Sequence, residues 1–304
     1  MSDCIYLERF ILPTPEREER LIEKRMRDND PSFGYIENYY PARMFPDKGL
    51  RELNFDKITI LYGGNGSGKS TILNLIATKL RLERISPYNG SELFPIYADA
   101  CKYQCGISDE GFDLRIPNGS RIITSDDVFD YMLAVRSNND EITEITEEAK
   151  GDYARLKASK NTIHFKGMDD YEDLRLQVLA RRKSVSRRQF IKKTVGQEVD
   201  LHSNGETALE YFDSHLKDRT LYCLDEPENS LSPKLQLELK EILEDLARCD
   251  TQLIIATHSP FILALKGARI YNLDESPVDI RPWWELENTR TYFDFFNNNR
   301  DLFL

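Results

Sequence analysis

Lys69 and Ser70 close a stretch rich in glycine, LYGGNGSGKST, which carries Gly63, Gly64, Gly66 and Gly68. The spacing G-x-x-x-x-G-K-[ST] lets the backbone of Gly63, Gly64, Asn65, Gly66, Ser67 and Gly68 turn tightly and aim its amides at an anion. A helix that begins there adds the positive end of its dipole. In such a cradle the Lys69 ammonium reaches the β- and γ-phosphates of a nucleoside triphosphate, and the Ser70 hydroxyl, beside Thr71, ligates Mg²⁺. Asp225 and Glu226 offer a second chemistry. They end the apolar run of LYCLDEP, so a strand delivers two adjacent carboxylates to one edge of a sheet. Asp225 suits holding Mg²⁺ through water, and Glu226 suits polarising a water that attacks phosphate. His258 follows the apolar run of IIATHSP. It falls at the same sheet edge, one helix and one strand after Glu226, where it can hydrogen-bond a γ-phosphate or the attacking water.

These residues need a scaffold, and the apolar patterning supplies one. Residues 57–62 read as a strand, followed by a helix to 82 with Ile72, Leu73, Ile76 and Leu80 on its core face. Thr220–Leu224, Thr251–Thr257 and Ala268–Leu273 read as buried strands. Pro233–Arg248 reads as an amphipathic helix with Leu235, Leu239, Ile242 and Leu246 on one side and Pro233 in its first turn. Strands alternating with helices make an α/β fold with a mainly parallel, covered sheet. Ligands then sit at the carboxyl ends of the strands. Upstream, Cys4–Leu12 reads as a strand, residues 14–33 as a short helix and a surface loop, and Tyr35–Phe45 as irregular. Residues 93–125 read as short β-like pieces with a turn at Pro117-Asn118-Gly119.

After Thr124 the character changes: residues 126–152 are rich in carboxylates, and 171–193 turn basic. This middle region reads as a mostly helical insertion. The expected organisation is 1–125 as the first part of the core with the phosphate loop, 126–195 as an inserted helical subdomain, and 196–304 as the second part of the core. The end of the chain, IRPWWELENTRTYFDFFNNNRDLFL, is too apolar for a free tail. Trp283, Trp284, Phe293, Phe296 and Phe303 are expected to pack on the core, or else on a partner subunit.

Composition excludes several classes. Apolar residues are 40% and charged ones 31% of 304, which fits a soluble globular chain. No apolar run approaches the ~18 residues of a membrane span. The start, MSDCIYLERF, lacks a secretory leader's basic region and apolar core, so cytoplasmic residence is expected. The five cysteines are scattered, and Cys101 and Cys105 have no second pair nearby, so reduced thiols are the reading. A net charge of −11 argues against nonspecific DNA binding by the whole surface. A local exception is Arg175–Lys193, with eight Lys and Arg and no acidic residue, which suits nucleic acid, an acidic partner or a solvated helix face. No heptad array runs long enough for a coiled-coil arm.

The three motifs together resemble the ATP-binding cassette (ABC) ATPase superfamily. The resemblance implies a P-loop fold of that type and a fourth motif shortly before Asp225. LHSNGETALEYF lies there, with Ser203, Asn204, Gly205 and Glu206 against the family's Ser-Gly-Gly-Gln. In the family this segment caps the γ-phosphate of an ATP held by the other subunit. The implied assembly is therefore a head-to-tail homodimer, or a higher oligomer built from dimers, around ATP and Mg²⁺. ENSLSP then resembles the family's D-loop through Asn229, Ser230 and Leu231. The Q-loop glutamine has no secure match: Gln104 is a poor one, and Thr124-Ser125-Asp126-Asp127 is the alternative. Tyr39, Tyr40 and Phe45 are the aromatic candidates for stacking on adenine. The resemblance covers residues 1–125 and 196–275.

Two branches of the superfamily differ in partner. In one, the ATPase is the ATP-binding subunit of an ABC transporter, and its helical insert docks a membrane protein. In the other it is soluble, as in SMC-like, RecF-like and small stand-alone ATPases. Asn65-Gly66, Glu228-Asn229 and THSPFILALKGARIYNLDE resemble the second branch, including ATPases found beside nucleases in bacterial defence systems. The resemblance thus implies an ATPase that controls a partner protein or nucleic-acid-processing effector, such as a nuclease, without inserting into a membrane.

Overall fold

The computed structural model describes residues 4–27, 39–88, 90–158, 175–176, 178–180 and 203–303. All five residues of β3 (Ile58–Tyr62) and of β7 (Gln252–Ala256) are buried, the pattern of strands covered on both faces. They lie side by side in a six-stranded sheet with β5 (Arg121–Thr124), β6 (Leu221–Asp225), β8 (Arg269–Asn272) and β9 (Asp279–Ile280), in the order β5-β6-β7-β3-β8-β9. The first five are parallel, and β9 closes the edge antiparallel to β8. The sequence-based α/β expectation holds, and the strand ends that carry Gly63, Asp225 and His258 fall on one edge.

Helix α2 (Lys69–Leu80) follows the phosphate loop and buries Ile72, Leu73, Leu75, Ile76 and Ala77 in the main core. At α6 (Pro233–Arg248), Ser232 caps the N-terminus by accepting from Leu235 N, with Pro233 in the first turn. Its buried face is Leu239, Leu243, Leu246 and Ala247, shifted slightly from the stripe read in the sequence.

A second sheet joins β1 (Leu7–Ile11), β2 (Glu52–Asn54) and β4 (Lys102–Cys105), antiparallel in the order β2-β1-β4. Gln252, fully buried on β7, ties it to the main sheet. Its Oε1 accepts from Leu7 N at 2.9 Å, and its Nε2 donates to Leu7 O at 2.8 Å and Asp56 O at 3.2 Å. α1 (Pro15–Arg27) and α3 (Leu93–Ala100) pack on each other, with Tyr97 donating to Glu18 at 2.6 Å. α3 corrects the β-like reading of residues 93–125: LFPIYADA looks β-prone, yet Leu93, Phe94, Tyr97 and Ala98 form one buried helical face. Pro95 is tolerated because it sits in the first turn, where no intrahelical donor is needed.

The chain forms two compact units, Met1–Phe129 with Asn204–Leu304, and Asp130–Ser203. Both sheets belong to the first. The carboxylate-rich run lies on α4 (Ser125–Ala158), and in the second unit Ala180 is buried against Leu156, Leu176 and Leu179. Of the basic stretch Arg175–Lys193, all but residues 175–176 and 178–180 lies outside the described residues.

The C-terminal region departs from the core-packing expectation. Only Leu286 and Thr289 are buried where α8 (Glu287–Asn298) begins. Trp284, Phe293, Phe296 and Phe303 are each more than half exposed, and Trp283 is partly buried. Tyr292, Phe293, Phe295 and Phe296 stand at i, i+1, i+3 and i+4 on one face of α8, and that face is exposed.

Gln252 gives the fold a test. Gln252→Leu removes every partner it offers to Leu7 and Asp56 while keeping its bulk. It should cost about 2–4 kcal/mol of unfolding free energy in urea titrations; a midpoint shift worth less than about 0.5 kcal/mol would show that the tie is not needed.

Candidate nucleotide site

The phosphate loop is shaped by two close approaches. At Gly68, φ is +104° and an added Cβ would stand 3.0 Å from the Phe45 ring. At Gly63 a Cβ would stand 2.5 Å from the Ser67 hydroxyl. Both positions therefore need glycine. The Ser67 hydroxyl is buried with no hydrogen-bond partner among the described residues, which fits a loop made to receive an oxyanion. Lys69 is 4% exposed and folds back across the loop. Its Nζ donates to Gly63 O at 2.6 Å and Gly64 O at 3.1 Å. Thr71 is buried, and its hydroxyl pairs with that of Tyr40 at 2.9 Å.

Across the sheet edge, the Ser70 hydroxyl donates to Asp225 Oδ1 at 2.9 Å. Glu226 takes a left-handed backbone, φ +50°, held by its N–H on Ala256 O at 2.8 Å. Its Oε1 then lies 3.9 Å from Lys69 Nζ and 3.9 Å from His258 Nδ1. The structure thus brings together Lys69, Ser70, Asp225, Glu226 and His258 from the ends of three strands. Gly64, Asn65 and Gly66 form the exposed lip of the loop.

Ser203 and Gly205 lie elsewhere, at the start of α5 (Asn204–His215). Ser203 is exposed. A Cβ on Gly205 would meet Leu235 Cδ1 at 2.5 Å and Ser230 O at 3.5 Å, so the first turn of α5 packs on the D-loop segment. Asn229 of that segment donates through Nδ2 to Glu226 Oε2 at 3.1 Å.

Of the uncertain matches, Gln104 is on the antiparallel sheet and donates to Glu8 at 3.1 Å, away from the loop-bearing edge. Thr124 instead ends β5 in register with Asp225, and Asp127 secures the turn by accepting from Thr124 N and Oγ1. Phe45 is buried under Gly68, which leaves no free face for a base. The Tyr40 ring stacks on Phe94, and Arg43 covers Tyr39 at 5.4 Å.

Two carboxylates at the site were not singled out from sequence. Asp274 accepts from Gly64 N through both oxygens at 2.9 Å. β8 pairs with β3 so that Asn272 faces Tyr62, which puts Asp274 level with Gly64. A carboxylate two residues beyond an apolar strand was the only available signal. Glu228 is the other, buried beneath the His258 turn.

The residues present fit Mg²⁺. A hydroxyl and a carboxylate 2.9 Å apart, with phosphate oxygens and water, make the all-oxygen shell this ion prefers. Among the described residues there is no group of three or more His, Cys, Asp or Glu that could hold a metal ion.

Residues 192–264 match a family model described as "AAA domain, putative AbiEii toxin, Type IV TA system". No curated protein matches the chain. Among solved structures, one match is "An inward-facing conformation of a putative metal-chelate type ABC transporter", 20% identical, covering 80% of each chain, with a TM-score of 0.34. Another is a dimeric post-hydrolysis ATP-binding cassette bound to ADP and Pi, 14% identical, covering 75% of this chain and 88% of the other, with a TM-score of 0.33. Likenesses of that degree say nothing about substrate or partner here.

Asp225 provides a test of the site's electrostatics. Burial pushes its carboxyl up to about 6, helped by the charge of Glu226 and opposed by Ser70 and Lys69. The folded protein therefore holds a proton that the unfolded chain, titrating near ~4, gives up first. That stabilising contribution is present at low pH and is lost as pH rises through about 6. Asp225→Asn mimics the protonated form. Without nucleotide its melting temperature should exceed wild type at pH 8, with the gap narrowing toward pH 5, while Mg²⁺-dependent ATP binding is lost. A variant less stable than wild type at pH 8 would refute this account of Asp225.

Proposed function

We propose that the protein binds ATP with Mg²⁺, hydrolyses it in a head-to-tail dimer, and uses this cycle to control a partner effector such as a nuclease. The α/β fold, the phosphate loop and the matched AAA segment are those of an ABC-type P-loop ATPase. The observation that carries the reading is Glu226, whose Oε1 stands 3.9 Å from both Lys69 and His258, next to an Asp225 bonded to Ser70.

In this reading Gly63–Thr71 enclose the phosphates and Lys69 neutralises their β- and γ-oxygens. Ser70 and Asp225 hold Mg²⁺, which, when bound, offsets the charge that develops on the transferred phosphoryl group. Glu226 accepts a hydrogen bond from the attacking water and polarises it. His258 orients that water or the γ-phosphate. Ser203 and Gly205 serve the nucleotide of the second subunit: a serine and a glycine at a helix start suit an anion, and their own chain's loop is built from other strand ends. The close packing of Gly205 on the D-loop supports a link between that helix start and Glu226.

The core is proposed to span 1–125 and 196–304, with 126–195 as an insert that responds to nucleotide state. No described helix is long and apolar enough to cross a membrane. The matched family's description names a toxin of a toxin–antitoxin system, which supports a switch acting on a cytoplasmic effector in defence. Nucleic-acid contact through Arg175–Lys193 belongs to the same proposal.

Two variants test it. Lys69→Ala should abolish ATP binding or hydrolysis. Glu226→Gln should bind ATP, lose about 10²- to 10⁴-fold in turnover, and run as a dimer by light scattering only when ATP is present. A Glu226→Gln protein that binds ATP and stays monomeric would refute the head-to-tail assembly; a Lys69→Ala protein with full turnover would refute the site.

A further inference from the structure

Glu228 takes no part in the chemistry just proposed, yet it is 5% exposed at the centre of the site's support. It stands in the segment between β6 and α6, two residues beyond Glu226. Its Oε1 gathers three donors from three consecutive residues: Thr257 Oγ1 at 2.5 Å, His258 N at 3.1 Å and Ser259 N at 3.1 Å. Those residues are the turn that follows β7 and carries the His258 side chain. Its Oε2 is buried without a hydrogen-bond partner among the described residues. A buried carboxylate costs free energy unless its hydrogen bonds compensate, and here all of that compensation comes from the His258 turn.

A second tie runs in parallel. Ser259 Oγ donates to Gln236 Oε1 at 2.7 Å, and Gln236 Nε2 donates to Leu231 O at 2.9 Å. Ser259 also caps α7 (Pro260–Leu263) by accepting from Phe261 N and Ile262 N. The segment after β6, which holds Glu226 and the D-loop, is therefore bonded directly to the turn after β7. The His258 ring itself stands 3.7 Å from Glu228 Oε1 and 3.9 Å from Glu226 Oε1.

We infer that Glu228 is a positioning residue: it fixes the backbone of Thr257–Ser259 so that the His258 ring is held against Glu226, and it moves that turn together with the D-loop segment. The inference rests on the ATPase reading above. It predicts that Glu228 acts on turnover through His258 and through no other group.

The test measures ATP turnover, ATP affinity and amide hydrogen exchange in Glu228→Ala and Glu228→Gln, each made in the wild-type and His258→Ala backgrounds. Glu228→Ala should lower kcat about 10- to 100-fold, as expected for a misplaced catalytic group. ATP affinity should stay within about twofold. The His258 and Ser259 amides should exchange faster. Glu228→Gln keeps an acceptor of the same length and should retain more turnover than Glu228→Ala. In the His258→Ala background the further loss should shrink below about twofold, the signature of two residues acting as one unit. Equal fold-losses in both backgrounds, or unchanged exchange at His258 and Ser259, would overturn the inference. Should Glu228→Ala not fold, the Glu228→Gln comparison decides on the same criteria. Failure of the ATPase reading looks different: the wild-type protein would then show no ATP turnover that Lys69→Ala removes.

Discussion

The Ser70–Asp225 hydrogen bond joins the two halves of the site, and the rest of the structure is arranged to make it possible. Ser70 stands in the first turn of α2, behind β3; Asp225 ends β6. β7 lies between those strands. For the bond to form, three neighbouring strands must end level, and the parallel register does this, with Leu61 opposite Ala256 and Ala256 opposite Asp225. His258, two residues past Ala256, then emerges between the two halves. The apolar burial of β3, β6 and β7 thus fixes polar groups to within hydrogen-bond tolerances, although no polar group drives the packing.

Such an arrangement explains which parts were legible in the sequence. The phosphate loop is local: its glycines, Lys69 and Ser70 are contiguous, so spacing alone describes the cradle. Asp225, Glu226 and His258 were legible because each follows a continuous apolar run, and a buried strand exports the next polar residue to the sheet edge. Asp274 and Glu228 obey the same rule less openly. Asp274 matters only because β8 pairs with β3, and Glu228 only because the loop after β6 meets the turn after β7. Neither pairing is written in a local pattern. α3 was missed because Pro95 and the aromatic residues favoured an extended reading, which tertiary burial of Leu93, Phe94 and Tyr97 overrides. The aromatic tail was misjudged for the opposite reason: hydrophobicity says that a residue gains by burial, not that the fold has room to bury it.

Two of the six described non-glycine residues with positive φ lie where the chemistry is proposed. Glu226 and Ser230 are non-glycine residues at φ +50° and +70°, a conformation that costs roughly 1–2 kcal/mol each. Both lie in one short segment, and Glu226 is held by its neighbours. Glu226 N–H bonds Ala256 O, and the Asn229 amide returns to the Glu226 carboxylate. A relaxed, extended Glu226 would continue the direction of β6; the left-handed turn instead lets its carboxylate stand between Lys69 and His258. The segment is thus held in place by its bonds to β7 and to Glu226 itself.

The same logic applies to the phosphate loop, where the Lys69 ammonium and the Gly64 amide already have partners, while the buried Ser67 hydroxyl has none among the described residues. Lys69 is satisfied by the carbonyls of Gly63 and Gly64, and the Gly64 amide by the Asp274 carboxylate. At Lys69 and Gly64 an entering triphosphate exchanges with internal acceptors. Its affinity is therefore the difference between phosphate and two carbonyls at Lys69, and between phosphate and a carboxylate at Gly64. Asp274 is exposed, so its competing bond is the weaker of the two and is screened by solvent. Lys69 is buried, so its exchange is the demanding step. A buried ammonium that must give up two carbonyls favours a dense anionic charge, and a neutral or singly charged ligand would not repay the bonds that it breaks.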